Sequence, residues 1–160
     1  MALEFNPEIK SKVDWTVSRY PRKEAAMLPV LHLAQKQFGY ISPEVMELVG
    51  RTLGVPINRV QDVVSFYTMF YEKPVGRYHI QVCHTLSCAV RGASQVVEYL
   101  EQKCGVKCDA GPSPDGRFSI MRVECLGSCG TAPMMQVNDD YYENLTKAGI
   151  DQLIENWKKG

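Results

Sequence analysis

The first ~70 residues show the apolar spacing of α-helices and no alternating strand pattern of useful length. Ser42 and Pro43 are typical of an N-cap and a first helical residue, and apolar side chains then recur at helical spacing up to Gly54. Another helix is predicted from about Pro56, with one apolar face made by Val60, Val63, Val64 and Tyr67. Upstream, EAAMLPVLHLAQKQFGYI is helical in character, with Pro29 either kinking the helix or lying in its first turn.

The pattern changes after residues 73–76, where Lys-Pro-Val-Gly interrupts the helical spacing. RYHIQV, residues 77–82, predicts a strand whose alternate side chains share one face. A helix is predicted over residues 92–103, with Gly105 placed to end it. The remaining predicted elements are three strands and a last helix capped by Thr146, the strands at residues 118–124, 134–137 and 141–143.

The order of elements in the second half is therefore β-α-β-β-β-α, and the fold class is α/β. We divide the chain into an N-terminal helical bundle, residues 1–73, and a strand-containing domain, residues 74–160. The aromatic residues near the end of the helical part are interpreted as core rather than as a partner surface: Phe66, Tyr67, Phe70 and Tyr71.

Composition excludes several classes of protein. With 160 residues, 45% of them hydrophobic, the chain is long and apolar enough for a packed core. Lys plus Arg and Asp plus Glu both number 18, so no net charge favours nucleic acid or an anionic membrane. The N-terminal MALEFNPEIK lacks the pattern of a signal peptide, and no apolar run approaches the ~20 residues of a membrane span. We expect a cytoplasmic chain without direct membrane insertion.

Cysteine spacing carries the main chemical signal. In a reducing cytosol structural disulfides are disfavoured, so six cysteines indicate metal or redox chemistry. They fall into three close pairs, Cys83 with Cys88, Cys104 with Cys108, and Cys125 with Cys129. A dithiol oxidoreductase of the thioredoxin type would need a C-x-x-C pair, which the sequence lacks.

Topology selects two of the three pairs. A strand, helix, strand unit normally has parallel strands, so both strands deliver their carboxyl ends to the same sheet edge. Cys83 and Cys125 each follow the end of such a predicted strand, whereas the intervening helix, about 18 Å long, carries the middle pair to the far pole. We therefore expect one site made by the outer pairs, and free thiols in the middle pair unless a hyperthermophilic source bridges them.

The residue types leave three interpretations of the outer pairs open. Four thiolates can hold a zinc ion or a 2Fe-2S cluster, and incidental buried thiols are the third possibility. Gly127 and Gly130 allow close backbone approach and amide N–H groups aimed at sulfur. His84 beside the first cysteine would suit a Rieske-type site only with a second histidine, but His32 and His79 lie on a helix and in a strand. We expect His84 to be solvated or hydrogen-bonded.

Three longer stretches carry a family resemblance: LHLAQKQFGYIS, VVSFYTMFYEKPVGRYHIQVCHTLSC and DGRFSIMRVECLGSCGTAPMMQVNDDYYENLT. Over about residues 27–153 the chain resembles the thioredoxin-like 2Fe-2S ferredoxin (E) subunits of NADH:quinone oxidoreductase, respiratory complex I. The resemblance implies a thioredoxin-like cluster domain after a helical region. It implies one 2Fe-2S cluster whose ligands come from a C-x4-C pair and a C-x3-C pair: Cys83, Cys88, Cys125 and Cys129.

The same resemblance implies a partner and a location. The partner is a flavoprotein subunit that binds NADH and FMN, in the peripheral arm of a membrane-bound complex. The cluster would lie off the main chain of centres leading to quinone and could store an electron. Related subunits serve NAD-dependent formate dehydrogenases and NAD-reducing hydrogenases, so those complexes are alternatives.

The residues themselves agree with a subunit that has no catalytic site of its own. Among the 12 glycines there is no G-x-G-x-x-G and no Walker-type phosphate loop, so no nucleotide or flavin site is predicted. Hydride chemistry then belongs to another chain, and this chain supplies a one-electron centre. The helical region has no other evident task, so we expect it to contribute to docking.

Overall fold

Helices alone build the first part of the chain in the computed structural model, which describes residues 3–159. The chain divides between Pro74 and Val75 into two compact units. The first unit has four α-helices and one 3-10 turn: α1 Pro7–Ser18, the turn Lys23–Ala26, α2 Met27–Phe38, α3 Pro43–Leu53 and α4 Ile57–Phe66. None of the described helices is both long and apolar enough to cross a membrane.

Local capping chemistry fixes the ends of these helices. The Ser42 hydroxyl accepts a hydrogen bond from the Val45 N–H at 3.3 Å, and Gly54 ends α3 with a left-handed φ of 71°. Both ends of α3 were predicted from these residues. Pro29 is the third residue of α2, so it lies in the first turn, where its missing N–H has no helical partner to lose.

Aliphatic side chains from all four helices form the core of the first unit. The fully buried ones include Val13, Val30, Leu31, Val49 and Val60. Phe70 belongs to this core and Tyr67 packs against it, but Phe66 is 77% exposed. The prediction that the aromatic residues are core is therefore wrong for Phe66, which sits at the last position of α4 on its solvent side.

The second unit combines a four-stranded sheet with three α-helices. Its elements are β1 Tyr78–Cys83, α5 Leu86–Val90, α6 Ala93–Cys104, β2 Phe118–Val123, a 3-10 turn Cys129–Thr131, β3 Met135–Val137, β4 Asp140–Tyr142 and α7 Lys147–Lys159. The predicted β-α-β-β-β-α order is found, with α5 as an addition. A helix of five residues is too short to show a periodic pattern.

The sheet has the strand order β2-β1-β3-β4, so β1 lies inside it. β1 pairs in parallel with β2 and antiparallel with β3, and Ile80 faces Ile120 on one side and Val137 on the other. Side chains of α6 and α7 join these strands in one core, among them Leu100 and Ile154. The parallel pairing confirms that β1 and β2 deliver their carboxyl ends to one edge, where the last register pair is Cys83 and Val123.

Candidate metal centre

The first cysteine pair is held by β1 and α5. Cys83 is the final residue of β1 rather than the residue after it, which corrects the predicted strand end by one position. Cys88 lies in α5, and both side chains are buried, at 3% and 2% exposure. They pack in a small apolar cluster with Ala93, Ala132 and Met134 that is separate from the sheet core. The scaffold therefore presents these two thiols from rigid elements.

The second pair lies on the loop that follows β2. Cys125 and Cys129 are exposed, and their sulfur atoms are 3.7 Å apart. Gly127 adopts a left-handed φ of 83°, and its N–H donates to Cys125 Sγ at 3.4 Å. A glycine at this position therefore bends the loop around the sulfur. Gly130 has ordinary backbone angles and open space around it, so close backbone approach does not account for it.

Thr85 connects the two pairs. Its hydroxyl lies 3.4 Å from Cys83 Sγ and also hydrogen-bonds Cys125. Cys83 in turn bonds Cys88 and acts electrostatically on both Cys125 and Cys129. The structure thus brings the four predicted thiols together as two pairs. Within residues 3–159 no three or more His, Cys, Asp or Glu side chains are grouped so as to hold a single metal ion.

The two thiols of the first pair ionise differently. Burial opposes ionisation of Cys83, but hydrogen bonds from Thr85 and from the Leu126 backbone outweigh it and lower its pKa. Burial raises the pKa of Cys88, and its hydrogen bond with Cys83 raises that pKa further. The first pair therefore shares one proton more readily than it loses two.

The second pair shows the same division. The Gly127 amide and the neighbouring Cys129 thiol lower the pKa of Cys125. The hydrogen bond with Cys125 and the charge of that thiolate raise the pKa of Cys129. A 2Fe-2S cluster takes two thiolates on each iron, and amide donors around sulfur stabilise its negative charge. The donor set on this sheet edge fits that group.

A hydrogen-bond network that the sequence did not reveal anchors the second loop. The Glu143 carboxylate accepts from the hydroxyls of Ser128 and Thr131, the latter at 2.6 Å, and these bonds lower the pKa of Glu143. The Tyr141 hydroxyl donates to the Leu126 carbonyl at 2.9 Å. The loop carrying Cys125 and Cys129 is therefore tied to the segment around β4. No spacing rule links residues so far apart along the chain.

We expect Glu143→Ala to make the site lose iron about tenfold faster to a chelator, because partners that orient metal ligands contribute about that much to affinity. The measurement is decay of visible absorption in excess chelator. Asp139→Asn, an exposed position in the β3–β4 turn, is the matched control and should decay at the wild-type rate. Equal rates for Glu143→Ala and wild type would show that the network does not hold the loop.

The middle pair does not join the site. Burial raises the pKa of Cys104 to about 11 and that of Cys108 to about 11, so both are protonated free thiols at neutral pH. Lys158 and Asp115 act on Cys104. Cys108 is placed differently from the prediction, because the Arg122 backbone of β2 hydrogen-bonds its sulfur, which sets it alongside the strand and not at the far pole.

The histidines also have structural partners. His84 Nε2 lies 3.4 Å from a Glu124 carboxylate oxygen. His32 stacks on Phe70, with ring centroids 5.0 Å apart, and His79 Nδ1 lies 2.7 Å from Ser119 Oγ inside the sheet. These contacts agree with a hydrogen-bonded His84 rather than a Rieske-type ligand set.

Comparison with known proteins identifies the family. The family model for thioredoxin-like 2Fe-2S ferredoxins matches residues 13–158. The chain belongs to the thioredoxin-like 2Fe-2S ferredoxin family. Its cofactor is therefore a 2Fe-2S cluster, which decides between the open interpretations of the thiols against zinc and against incidental burial.

Relatives of similar length belong to one kind of complex. NADH-quinone oxidoreductase E subunit 2 of Rhizobium meliloti (strain 1021) is 38% identical over 150 residues, which are 94% of this chain and 89% of the relative. NADH-quinone oxidoreductase subunit 2 of Thermus thermophilus is 42% identical over 151 residues, which are 91% of this chain and 81% of the relative. The chain is thus a homologue of a subunit of an oxidoreductase.

A solved structure shares the fold. The air-oxidised NAD+-reducing NiFe hydrogenase superposes with a TM-score of 0.73 at 22% identity, over 83% of this chain and 23% of the hydrogenase chain. At this identity the likeness concerns the fold alone. The predicted thioredoxin-like α/β fold is confirmed by the family match and by the four-stranded sheet.

Proposed function

We propose that the protein is the electron-transfer subunit of an NADH:quinone oxidoreductase, and that its 2Fe-2S cluster exchanges electrons with the FMN of a partner flavoprotein subunit that oxidises NADH. The observation that carries the proposal is the meeting of two thiol pairs at one sheet edge in a homologue of the NADH-quinone oxidoreductase E subunits. The fold likeness to the hydrogenase gives no comparable support to the alternative complexes, since the sequence relatives at 38% and 42% identity bear the oxidoreductase name.

In this proposal four residues are the cluster ligands: Cys83, Cys88, Cys125 and Cys129. When bound, the cluster supplies a centre that accepts and returns single electrons. The buried pair anchors one side of the site, and the exposed pair brings the other side to the protein surface. The amides of Leu126 and Gly127 direct hydrogens at sulfur, which stabilises negative charge there.

We further propose that residues 74–160 form the cluster domain and residues 1–73 a helical region that contributes to assembly. The division of the chain between Pro74 and Val75 supports this organisation. The protein would then sit in the cytoplasmic, peripheral arm of a membrane-bound complex and insert no helix into the membrane. NADH and FMN would bind to the flavoprotein, because no phosphate-binding motif occurs in this sequence.

The test separates cluster reduction from hydride chemistry. The isolated, cluster-loaded chain should bleach with dithionite but not with NADH, because it has no flavin to accept a hydride and pass on single electrons. Adding the cognate flavoprotein should make NADH bleach the cluster within seconds. The measurement is visible absorption under anaerobic conditions. Rapid reduction of the isolated chain by NADH, or no complex with the flavoprotein, would contradict the proposed function.

A chain shortened to begin near Lys73 tests the helical region in the same assay. We expect it to hold the cluster, because all four proposed ligands lie beyond that point, and to bind the flavoprotein more weakly than the full chain. Co-purification with the flavoprotein measures this difference. Equal binding by both chains would remove the assembly role from the helical region and leave electron transfer unaffected.

A further inference from the structure

Two large apolar side chains stand exposed beside the thiols. Leu86 and Val90 are 80% and 78% exposed. They begin and end α5 at a spacing of four residues, which places them on the same face of the helix. Cys88 lies between them in sequence and is buried. The short helix thus buries a proposed ligand on one side and offers an apolar pair to solvent on the other.

A groove of about 420 Å³ begins at this apolar pair. Val90 lines it together with residues from α6 and from the start of α7, and its charged residues are Arg91 and Lys147. None of the described residues that line it is Asp or Glu. The ammonium group of Lys147 lies 5.4 Å from the ring centroid of Tyr99, which also lines the groove.

The nearest carboxylate on these helices is already engaged. Asp151 accepts a hydrogen bond from the Tyr99 hydroxyl at 2.8 Å and an ion pair from Lys103 at 2.6 Å. Its charge is therefore balanced by Lys103, and the two cations of the groove keep theirs. In a chain with equal numbers of acidic and basic residues, this is a local basic field next to the site and not a consequence of net charge.

We propose that Leu86, Val90 and the basic groove are the surface on which the electron-exchange partner docks, and that the partner presents apolar side chains flanked by carboxylates. This inference rests on the proposed function and names the part of the chain that meets the flavoprotein. Electron transfer weakens steeply with distance, so the partner must contact the protein next to the thiols. An apolar centre with a charged margin is the usual composition of such an interface.

Two other occupants are less well matched to the surface. A second copy of the chain in a two-fold dimer would place each basic groove near its own equivalent, and the like charges of Arg91 and Lys147 would oppose that contact. The exposed Phe66 of the helical unit offers an apolar side chain, but it lies in the unit that carries none of the four thiols. The charge pattern beside Cys88 therefore favours an acidic partner surface.

The experiment measures the Kd between the cluster-loaded full chain and the cognate flavoprotein subunit. Val90→Asp and Arg91→Glu should each weaken binding about tenfold or more, as removal of a central interface contact does. Val90→Ser serves as a milder second variant. Iron per chain and the visible spectrum must equal those of wild type, which separates docking from loss of the cluster. The matched controls are Phe66→Asp, with a similarly exposed aromatic, and Lys159→Glu, and both should bind within twofold of wild type.

Each other outcome overturns the proposal in a recognisable way. Wild-type affinity in Val90→Asp and Arg91→Glu, with or without weakening by Phe66→Asp, would show that the partner docks elsewhere while the proposed function stands. A wild-type chain that does not bind the flavoprotein at all would instead remove the proposed function. A dimer of the isolated chain in sedimentation that Val90→Asp abolishes would assign the surface to a second copy.

Discussion

Cys125→Ala is expected to lose the 2Fe-2S cluster, whereas Cys104→Ser is expected to keep it. In the proposed ligand set Cys125 and Cys129 hold one iron, so the alanine variant leaves that iron with a single protein thiolate. Cys125 also accepts the Gly127 amide and the Thr85 hydroxyl, so its loss removes the contact through which Thr85 joins the two pairs. Cys104 cannot take its place, since that thiol is packed against the sheet core.

The measurement is iron and acid-labile sulfide per chain after anaerobic purification, with the visible spectrum alongside. Wild type should contain about two of each, as one cluster requires, and Cys125→Ala should contain less than about a tenth of that, in line with the loss of a first ligand. Cys104→Ser and Cys108→Ser are the matched controls. Full iron content in Cys125→Ala, together with loss in Cys104→Ser, would show that the wrong cysteines had been paired.

Elements whose ends are fixed by local chemistry could be predicted from the sequence. Ser42 and Gly54 bound α3 because a hydroxyl cap and a left-handed glycine act within one turn of the helix. Gly105 ends α6 for the same reason, with a φ of 67°. The meeting of Cys83 with Cys125 followed from a general rule of topology, since a single helix between two strands makes them parallel.

Features that depend on contacts distant in sequence could not be predicted. Cys108 was expected at the far pole because helix length gives only the position of Cys104, and the chain after α6 turns back along β2, where the Asp109 N–H bonds the Ile120 carbonyl at 2.9 Å. Glu143 is one exposed carboxylate among many in the sequence, and only the fold brings it to Ser128. Burial of an individual aromatic such as Phe66 likewise depends on which way a helix end faces.

Gly76→Ala is expected to destabilise the second unit by about 3 kcal/mol or more, the upper end of what overpacking costs. A Cβ at Gly76 would lie 2.3 Å from the Phe118 carbonyl carbon and 2.6 Å from the Ser119 nitrogen. Both are backbone atoms of β2, whose register with β1 pairs Tyr78 with Phe118 and His79 with Ser119. They cannot move without disturbing the ladder that positions Cys83.

A buried polar network makes this approach still less able to relax. The Gly76 N–H donates to Ser119 Oγ at 2.9 Å, and His79 Nδ1 lies 2.7 Å from the same oxygen. Burial lowers the pKa of His79 to about 4, so its ring is neutral at pH 7 and the network carries no charge. Displacing Gly76 would separate groups that are shielded from water, which adds the cost of unmade hydrogen bonds to the steric clash.

Urea unfolding followed by Trp157 fluorescence measures the effect, since Trp157 packs against Tyr78 with ring centroids 5.2 Å apart and so reports the second unit. Trp15, which is 65% exposed, is replaced by Phe in every variant to remove its signal. Gly130→Ala is the matched control, because a Cβ there meets no atom within 4 Å. It should change the free energy of unfolding by less than about 1 kcal/mol, the usual range for a compatible Gly to Ala change. Similar unfolding midpoints for Gly76→Ala and Gly130→Ala would mean that the loop before β1 does not approach β2 this closely, and that Gly76 serves only to interrupt the helical pattern of the first unit.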